Sequence, residues 1–383
     1  MQAFEVVNAA GFVTGLGGAT LHPAAIEALA DASARHYDVT ALAAATGDEL
    51  ARLIGVPGAA VTAGAAAGLT LAVGAAIVGD DPTLADAMPM QSERVRVVTQ
   101  TTLSNAYERV VRLTGARIDH VGVPSRPGLG QTLPWQLDGA LSEPAAAVLH
   151  TVASDDAAVS LEEVIRIAHR RGVPVVVDAA AELPPASALR TFVEQGADLV
   201  VFSGGKALRG PQASGLVLGR PDLVATVRRL QEDTDVDPVL WHETTGSDPW
   251  QQGIGRPMKV PPSTILALAA AVKAFLMHDH DADADAAADW LSGLRDALGV
   301  GRLVAPRGRD GFFPSLAFDL GPARARQAWR ALADGLPSVR AAQAELGGGV
   351  LRIRPEAVAG SERDTVADAL LRIRHSGLLD SMA

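Results

Sequence analysis

The sequence predicts an α/β protein: a mostly parallel sheet covered by helices, followed by a smaller α/β domain. Three observations lead there. Short β-branched runs alternate with amphipathic segments through the middle of the chain, the pattern of a sheet buried on both faces. The length, 383 residues, suits about two domains at ~150 residues each. Apolar residues make up 48% and charged residues 20%, with a mean hydropathy of +0.18, so the chain can bury a large core.

Residues 61–76 (VTAGAAAGLTLAVGAA) read as a strand end, a small-residue turn and a helix start. VRVVTQ (95–100), ARIDHVGV (116–123), AAAVLH (145–150), VPVVVDA (173–179), DLVVFSG (198–204) and SGLVLG (214–219) follow as strands. Between them NAYERVVRLTG (105–115), SLEEVIRIAHRRG (160–172) and SALRTFVEQG (187–196) have helical periodicity. Ser160 to Glu163 form a capping-box pattern, and Gly172 is a helix stop. LALAAAVKAFLMHD (266–279) reads as a long helix. LVAPRG (303–308), SLAFDL (315–320) and LRIRP (351–355) read as strands of a smaller sheet. The expected division is a large domain over 1–260 and a small one over 261–383.

Thirty-three Lys and Arg against 44 Asp and Glu leave a net charge of −11, which repels phosphate backbones, so no nucleic-acid partner is expected. There is no cysteine, which removes disulfides, thiolate nucleophiles and Cys metal sites together. That fits a reducing compartment, and a cytoplasmic protein is expected. The opening MQAFEVVNAA lacks a signal-peptide pattern. No apolar run reaches the ~18 residues of a membrane span. DHDADADAAADW (279–290), with His278 and His280 nearby, raises a metal site. A solvated helix start with acidic residues in its first turn is the preferred reading, and no metal is expected.

The chemistry concentrates in residues 173–220. One β-run ends in Asp178; the next ends in Ser203-Gly204-Gly205-Lys206. Both polar groups fall just beyond the carboxyl ends of sheet strands, where open α/β sheets bind ligands. A carboxylate and an amine so placed suit pyridoxal 5′-phosphate (PLP). The carboxylate keeps the pyridine nitrogen protonated, and the lysine forms a Schiff base and acts as a base when released. Spacing alone equally admits a buried Asp and a surface Lys. Backbone N–H groups at Gly64, Ala65 and Ala66 would seat the phosphate at a helix start, although tight packing explains most such turns. Ser203 offers a hydroxyl to the same phosphate.

DAAAELPP (178–185), GADLVVFSGGKALRGPQASGLVLGR (196–220) and GIGRPMKV (253–260) resemble the selenocysteine synthase-like branch of fold-type I PLP enzymes. That branch includes bacterial selenocysteine synthase and the glucosaminate-phosphate ammonia lyases. NAAGFVTGLGGA (8–19) and TAGAAAGL (62–69) are similar to its opening motifs, so the resemblance covers roughly residues 5–275. It implies a seven-stranded, mostly parallel sheet, Lys206 as the Schiff-base lysine and Asp178 as partner of the ring nitrogen. It implies Gly64, Ala65, Ala66 and Ser203 around the phosphate, and a homodimer with active sites at the subunit interface. A substrate carboxylate needs a cation, and the resemblance favours Arg209 and Arg256, with Lys259 beside the latter. For Arg354 an ion pair in the small domain is at least as good a reading. Gln212 is left between a substrate hydrogen bond and loop support.

The chain departs from the branch in two places. In QTTLSNAYERV (100–110), Leu103 stands where many relatives carry a histidine stacked on the cofactor ring. Leucine can pack on a ring face but cannot carry a proton. QEDTDVDPVLWHETTGSDPWQQ (231–252) is longer than the usual connection. Trp241, His242, Glu243 and Trp250 are candidates to line a substrate pocket, against the alternative of a plain surface loop. His242 would then do the proton transfer that Leu103 cannot. The expected reaction is α,β-elimination on a hydroxylated amino acid or amino-sugar acid, of ammonia-lyase or dehydratase type. Racemisation or epimerisation and β-replacement are the alternatives, and the acidic charge disfavours a tRNA-dependent selenium transferase.

Overall fold

The computed structural model describes residues 4–92, 95–123, 131–153, 157–245, 252–306 and 311–380. Their contacts form two compact units. One is Leu21–Leu276; the other joins the chain ends, Met1–Thr20 with Met277–Ala383.

The larger unit is built on seven strands: β2 (Ala59–Thr62), β3 (Arg96–Gln100), β4 (Arg117–Val121), β5 (Ala147–Thr151), β6 (Val175–Asp178), β7 (Leu199–Ser203) and β8 (Gly215–Gly219). They lie in the order β2-β8-β7-β6-β5-β3-β4. Each of the six β-runs expected in mid-chain carries one of β3 to β8. The neighbours from β4 to β7 are parallel, joined by crossovers such as the helix Leu161–Arg170. β8 runs antiparallel to both β7 and β2, because a short loop returns the chain directly from β7.

Alternation along the strands sorts the side chains onto two faces. Val97, Leu149, Val176, Leu199 and Val201 pack with Leu69, Leu71 and Val73 of the helix Ala65–Val78. Val98, Val148, Val177, Val200 and Phe202 pack on the other face with Leu161, Val164 and Ile165 of the helix Leu161–Arg170. The helix Ala65–Val78 carries no charged residue, as befits one pressed onto a sheet. Gly68 lets it come close: a Cβ there would stand 2.8 Å from Val201 Cγ1 and 3.2 Å from Thr62 Oγ1. At the opposite edge of the sheet, buried Asp198 is fully engaged. Its Oδ2 accepts from the backbone N–H of Val175 at 2.7 Å and lies 2.8 Å from His169 Nε2, and its Oδ1 accepts from Arg220 at 2.9 Å.

The division of contacts differs from the expected boundary near 260. The helix Pro262–Leu276 packs against the helices Pro23–Ser33 and Val39–Ile54, so it belongs to the larger unit. The N-terminal residues go to the smaller unit, because β1 (Val7–Ala9) pairs in parallel with β11 (Val339–Ala341). That unit also holds an antiparallel sheet in the order β12-β10-β9, from β9 (Arg302–Val304), β10 (Ser315–Asp319) and β12 (Val350–Ile353), with the helices His280–Leu298, Pro322–Ala333 and Arg363–His375. The acidic segment is a helix start, with Asp279 Oδ1 capping the Ala282 N–H at 3.0 Å. No cluster able to hold a metal occurs among the described residues. None of their helices is long and apolar enough to cross a membrane.

Gly68→Ala is expected to lower the unfolding free energy by ~1–3 kcal/mol, the range for overpacking a filled core. Urea denaturation measures it, and an unchanged midpoint would mean that the helix does not lie this close to β7.

Candidate active site

Strand register determines which side chains meet at the carboxyl edge of the large sheet. Asp178 stands two residues beyond Val176, Ser203 two beyond Val201, and Thr151 two beyond Leu149. All three therefore point to the face covered by the helix Ala65–Val78. Thr151 and Asp178 are direct partners across β5 and β6. Ser203 pairs with Gly215, which pairs on its other side with Thr62.

The helix begins at this same edge. Its N-cap is Gly64, at φ +112°, and no side chain caps its first turn. The N–H groups of that turn and the positive end of the helix dipole suit an anion. A Cβ on Gly64 would meet nothing within 4 Å, so the backbone there faces open space. Gly215 makes the approach possible: a Cβ on it would fall 2.5 Å from Gly64 C and 2.8 Å from Ala65 N. Gly64, Ala65 and Ser203 thus converge around Gly215, with Ala66 next along the helix.

Lys206 sits in the loop between β7 and β8. The loop folds back on itself, with the Gly204 N–H donating to the Ser214 carbonyl at 2.8 Å and the Gly210 N–H to the Gly204 carbonyl at 2.9 Å. A Cβ on Gly205 would strike Gln212 Cα at 2.5 Å, which explains the Gly-Gly step before the lysine. Gln212 itself is exposed, with its backbone lying against Gly205. Arg209, also exposed, has φ +55°, unique among the described non-glycine residues. Such left-handed strain persists only where surroundings enforce it; here the Arg209 N–H donates to the Lys206 carbonyl at 2.9 Å, and its own carbonyl accepts from the His22 N–H at 2.8 Å.

Asp178 is 9% exposed, and its Oδ1 accepts from the Ala180 N–H at 3.1 Å. Burial pushes its carboxyl above the usual range, partly offset by that N–H and by the Lys206 charge. Burial pulls the Lys206 amine below the ordinary lysine range, partly offset by the charges of Asp178 and Glu182. Glu182 is a second carboxylate by the lysine that the sequence reading passed over. Its only signal was its place in DAAAELPP, where its N–H turns back to the Ala179 carbonyl at 3.2 Å.

The remaining candidates are placed as follows. Leu103 is buried at the end of the turn Thr101–Leu103, directly after β3. Arg256 Nη2 lies 2.7 Å from Asp233 Oδ2, so this cation is already paired within the 231–252 stretch. Asp233 is held below the usual carboxylate range by a hydrogen bond from Gln252 and by the charges of Arg256 and exposed Lys259. Gly253 and Gly255 explain GIGRP: a Cβ on either would stand 2.5 Å from the Leu230 carbonyl oxygen. His242 and Glu243 are exposed on the helix Pro238–Thr245, where Trp241 is half-buried; Trp250 lies outside the described residues. Arg354 stands 3.6 Å from Glu356 in the smaller unit.

The profile of the aminotransferase class-V family matches residues 90–292. The chain is 33% identical over 280 residues to 5′-C-glycyluridine monooxygenase-decarboxylase of Streptomyces sp, covering 70% of this chain and 63% of that protein. It is 29% identical over 277 residues to D-glucosaminate-6-phosphate ammonia lyase of Salmonella typhimurium, covering 70% and 67%. It is 32% identical over 252 residues to L-seryl-tRNA(Sec) selenium transferase of Solidesulfovibrio magneticus, covering 59% and 50%. The chain thus matches about half to two thirds of these relatives' lengths. A solved structure of D-glucosaminate-6-phosphate ammonia-lyase superposes with a TM-score of 0.77 at 26% identity, over 97% of this chain and 96% of that one. Serine palmitoyltransferase from S. paucimobilis with PLP bound shares the fold, with a TM-score of 0.59 at 16% identity over 97% and 88%.

In the cofactor-free protein, Lys206 should react with trinitrobenzenesulfonate at a pH midpoint below the 10.5 of an ordinary lysine. Because the Asp178 charge raises that midpoint, Asp178→Asn should move it lower still. A midpoint at the ordinary value, or an upward move in Asp178→Asn, contradicts the buried, coupled pair described above.

Proposed function

The chain belongs to the aminotransferase class-V family, and from that membership we infer that it is a PLP-dependent enzyme acting at the α-carbon of a hydroxylated amino acid or amino-sugar acid. The reading rests on one observation above all: a buried carboxylate at the end of β6 and a half-buried amine in the loop after β7, each feeling the other's charge, beside an uncapped, uncharged helix start. The donor set fits the cofactor. The Gly64–Ala66 turn and Ser203 would hold its phosphate, Asp178 its ring nitrogen and Lys206 its aldehyde carbon. When bound, PLP supplies an electron sink for the charge left at a substrate α-carbon.

The chain's own residues then divide the work. Asp178 would keep the proton on the cofactor's ring nitrogen; with that cation opposite it, the carboxylate that burial disfavours becomes the stable form. Lys206, its pKa lowered by burial, is more often neutral at physiological pH than an exposed lysine, so it can take the α-proton. Arg209, Arg256 and Lys259 are the candidates to orient the substrate carboxylate, with Arg256 exchanging its present partner Asp233 for it. Gln212 borders the same loop, and Leu103 lies in the turn after β3. His242 would deliver a proton to a departing β-hydroxyl, which leaves as water. Glucosaminate, a seryl group and a 5′-C-glycyl nucleoside each carry an amine next to a carboxyl carbon and a hydroxylated carbon beyond. That shared element supports elimination of the lyase type.

The name of the Streptomyces relative favours a second reading, oxidative loss of the carboxyl from the same carbon with dioxygen as oxidant. Racemisation and β-replacement would use the same Asp178 and Lys206. A homodimer acting on a small molecule, without tRNA, completes the proposal.

Borohydride reduction of the PLP-loaded protein is expected to fix the cofactor on the Lys206 peptide, read by mass spectrometry, and Lys206→Ala should lose that mass. Asp178→Asn should retain PLP while turnover falls ~100-fold or more, as for loss of an electrostatic stabiliser. A panel of D- and L-β-hydroxy amino acids, assayed for ammonia, keto acid, carbon dioxide and solvent deuterium at Cα, separates the readings. Carbon dioxide without ammonia, or exchange without either, would refute elimination.

A further inference from the structure

Beside Asp178, the turn that follows β3 is tied down by three side chains that the reaction as proposed does not use. We propose that Asn105, Thr151 and Glu108 are positioning residues of the site, holding the Thr101–Asn105 turn against the strand next to Asp178. The proposal rests on reading that edge as the PLP site.

β3 ends at Gln100 and the chain turns through Thr101–Leu103 to Asn105. The Asn105 side chain is used at both ends. Its Oδ1 accepts from the Tyr107 N–H at 2.7 Å, which shapes the turn, and its Nδ2 donates to Thr151 Oγ1 at 3.1 Å. Thr151 is the register partner of Asp178 and points to the same face. Glu108, a buried carboxylate, closes the turn from behind. Its Oε1 accepts from the Asn105 N–H at 3.3 Å, and its Oε2 lies 2.7 Å from Nε2 of His120 on β4. The turn is therefore anchored to β5 on one side of β3 and to β4 on the other.

The end of β3 does not need this anchoring for its own stability. Gln100, pointing to the opposite face, already holds it: its Oε1 accepts from the Val159 N–H at 2.6 Å and its Nε2 donates to the Val159 carbonyl at 3.0 Å. The Asn105 amide is spent instead on the hydroxyl beside the catalytic carboxylate. Loss of that bond releases the turn that carries Leu103 without opening the sheet.

The test compares Asn105→Ala, Thr151→Val and the double variant with wild type, each titrated with PLP. The readouts are visible absorbance, visible circular dichroism of the bound cofactor, and far-ultraviolet circular dichroism for the fold. Each single variant should keep the fold and the borohydride-fixable link to Lys206. The Kd for PLP should rise about five- to tenfold, the worth of one hydrogen bond, and the visible dichroism should change. The double variant should be no worse than either single one. Glu108→Gln keeps an acceptor for the Asn105 N–H and should stay near wild type. Should Asn105→Ala not fold, Thr151→Val, of unchanged shape, decides alone. Unchanged Kd and visible dichroism, or additive effects in the double variant, overturn the positioning role while leaving the PLP reading intact. Failure of wild type to bind PLP overturns both.

Discussion

The carboxyl edge of the large sheet depends on how closely one uncharged helix can lie on it. Gly68 admits Val201 and Gly215 admits the backbone at Gly64 and Ala65, so the helix start comes down beside the end of β7. Neither contact tolerates a side chain at the glycine without a shift of backbone or core. At this same edge burial drives Asp178 and Lys206 both toward their neutral forms. The edge thus offers oriented dipoles and two suppressed charges, and it gains full charge complementarity only from a ligand that brings an anion and a cation of its own.

A comparison within the sheet separates two uses of a buried carboxylate. Asp198 receives a backbone N–H, an imidazole and a guanidinium, a saturated set that staples β6, β7 and the start of the helix Pro221–Arg229. Asp178 receives one backbone N–H and feels one amine through space. Burying an ion costs least when it is fully partnered. The under-partnered carboxylate, at the carboxyl end of β6, is the one with capacity left for a ligand, as the proposed cofactor reading requires.

Much of this was legible in the residues. Asp178 and Lys206 stood out because apolar strands ending in polar groups mark a ligand edge, and the alternation of β-runs with helices foretold β3 to β8. What escaped depends on contacts distant in sequence. Nothing local to Gly215 announces that the backbone of Gly64 will lie on it. The bond from Asn105 to Thr151 joins residues with no shared motif. β1 and β11 have three residues each, too few to show a period. The helix Pro262–Leu276 looks in sequence like the start of something new, whereas it packs against helices from the beginning of the larger unit. The pairing of Arg256 with Asp233 has no local signal either, since the two lie 23 residues apart.

The pairing of β1 with β11 has a consequence for biosynthesis. Val7–Ala9 leaves the ribosome long before its partner Val339–Ala341 is made. The larger unit, Leu21–Leu276, is complete long before that, and domains generally fold as they emerge. β1 must therefore wait, an unpaired edge tethered to a folded body, until the synthesis of β11 supplies its neighbour. Its brevity suits that wait, since a short strand presents little edge for wrong partners.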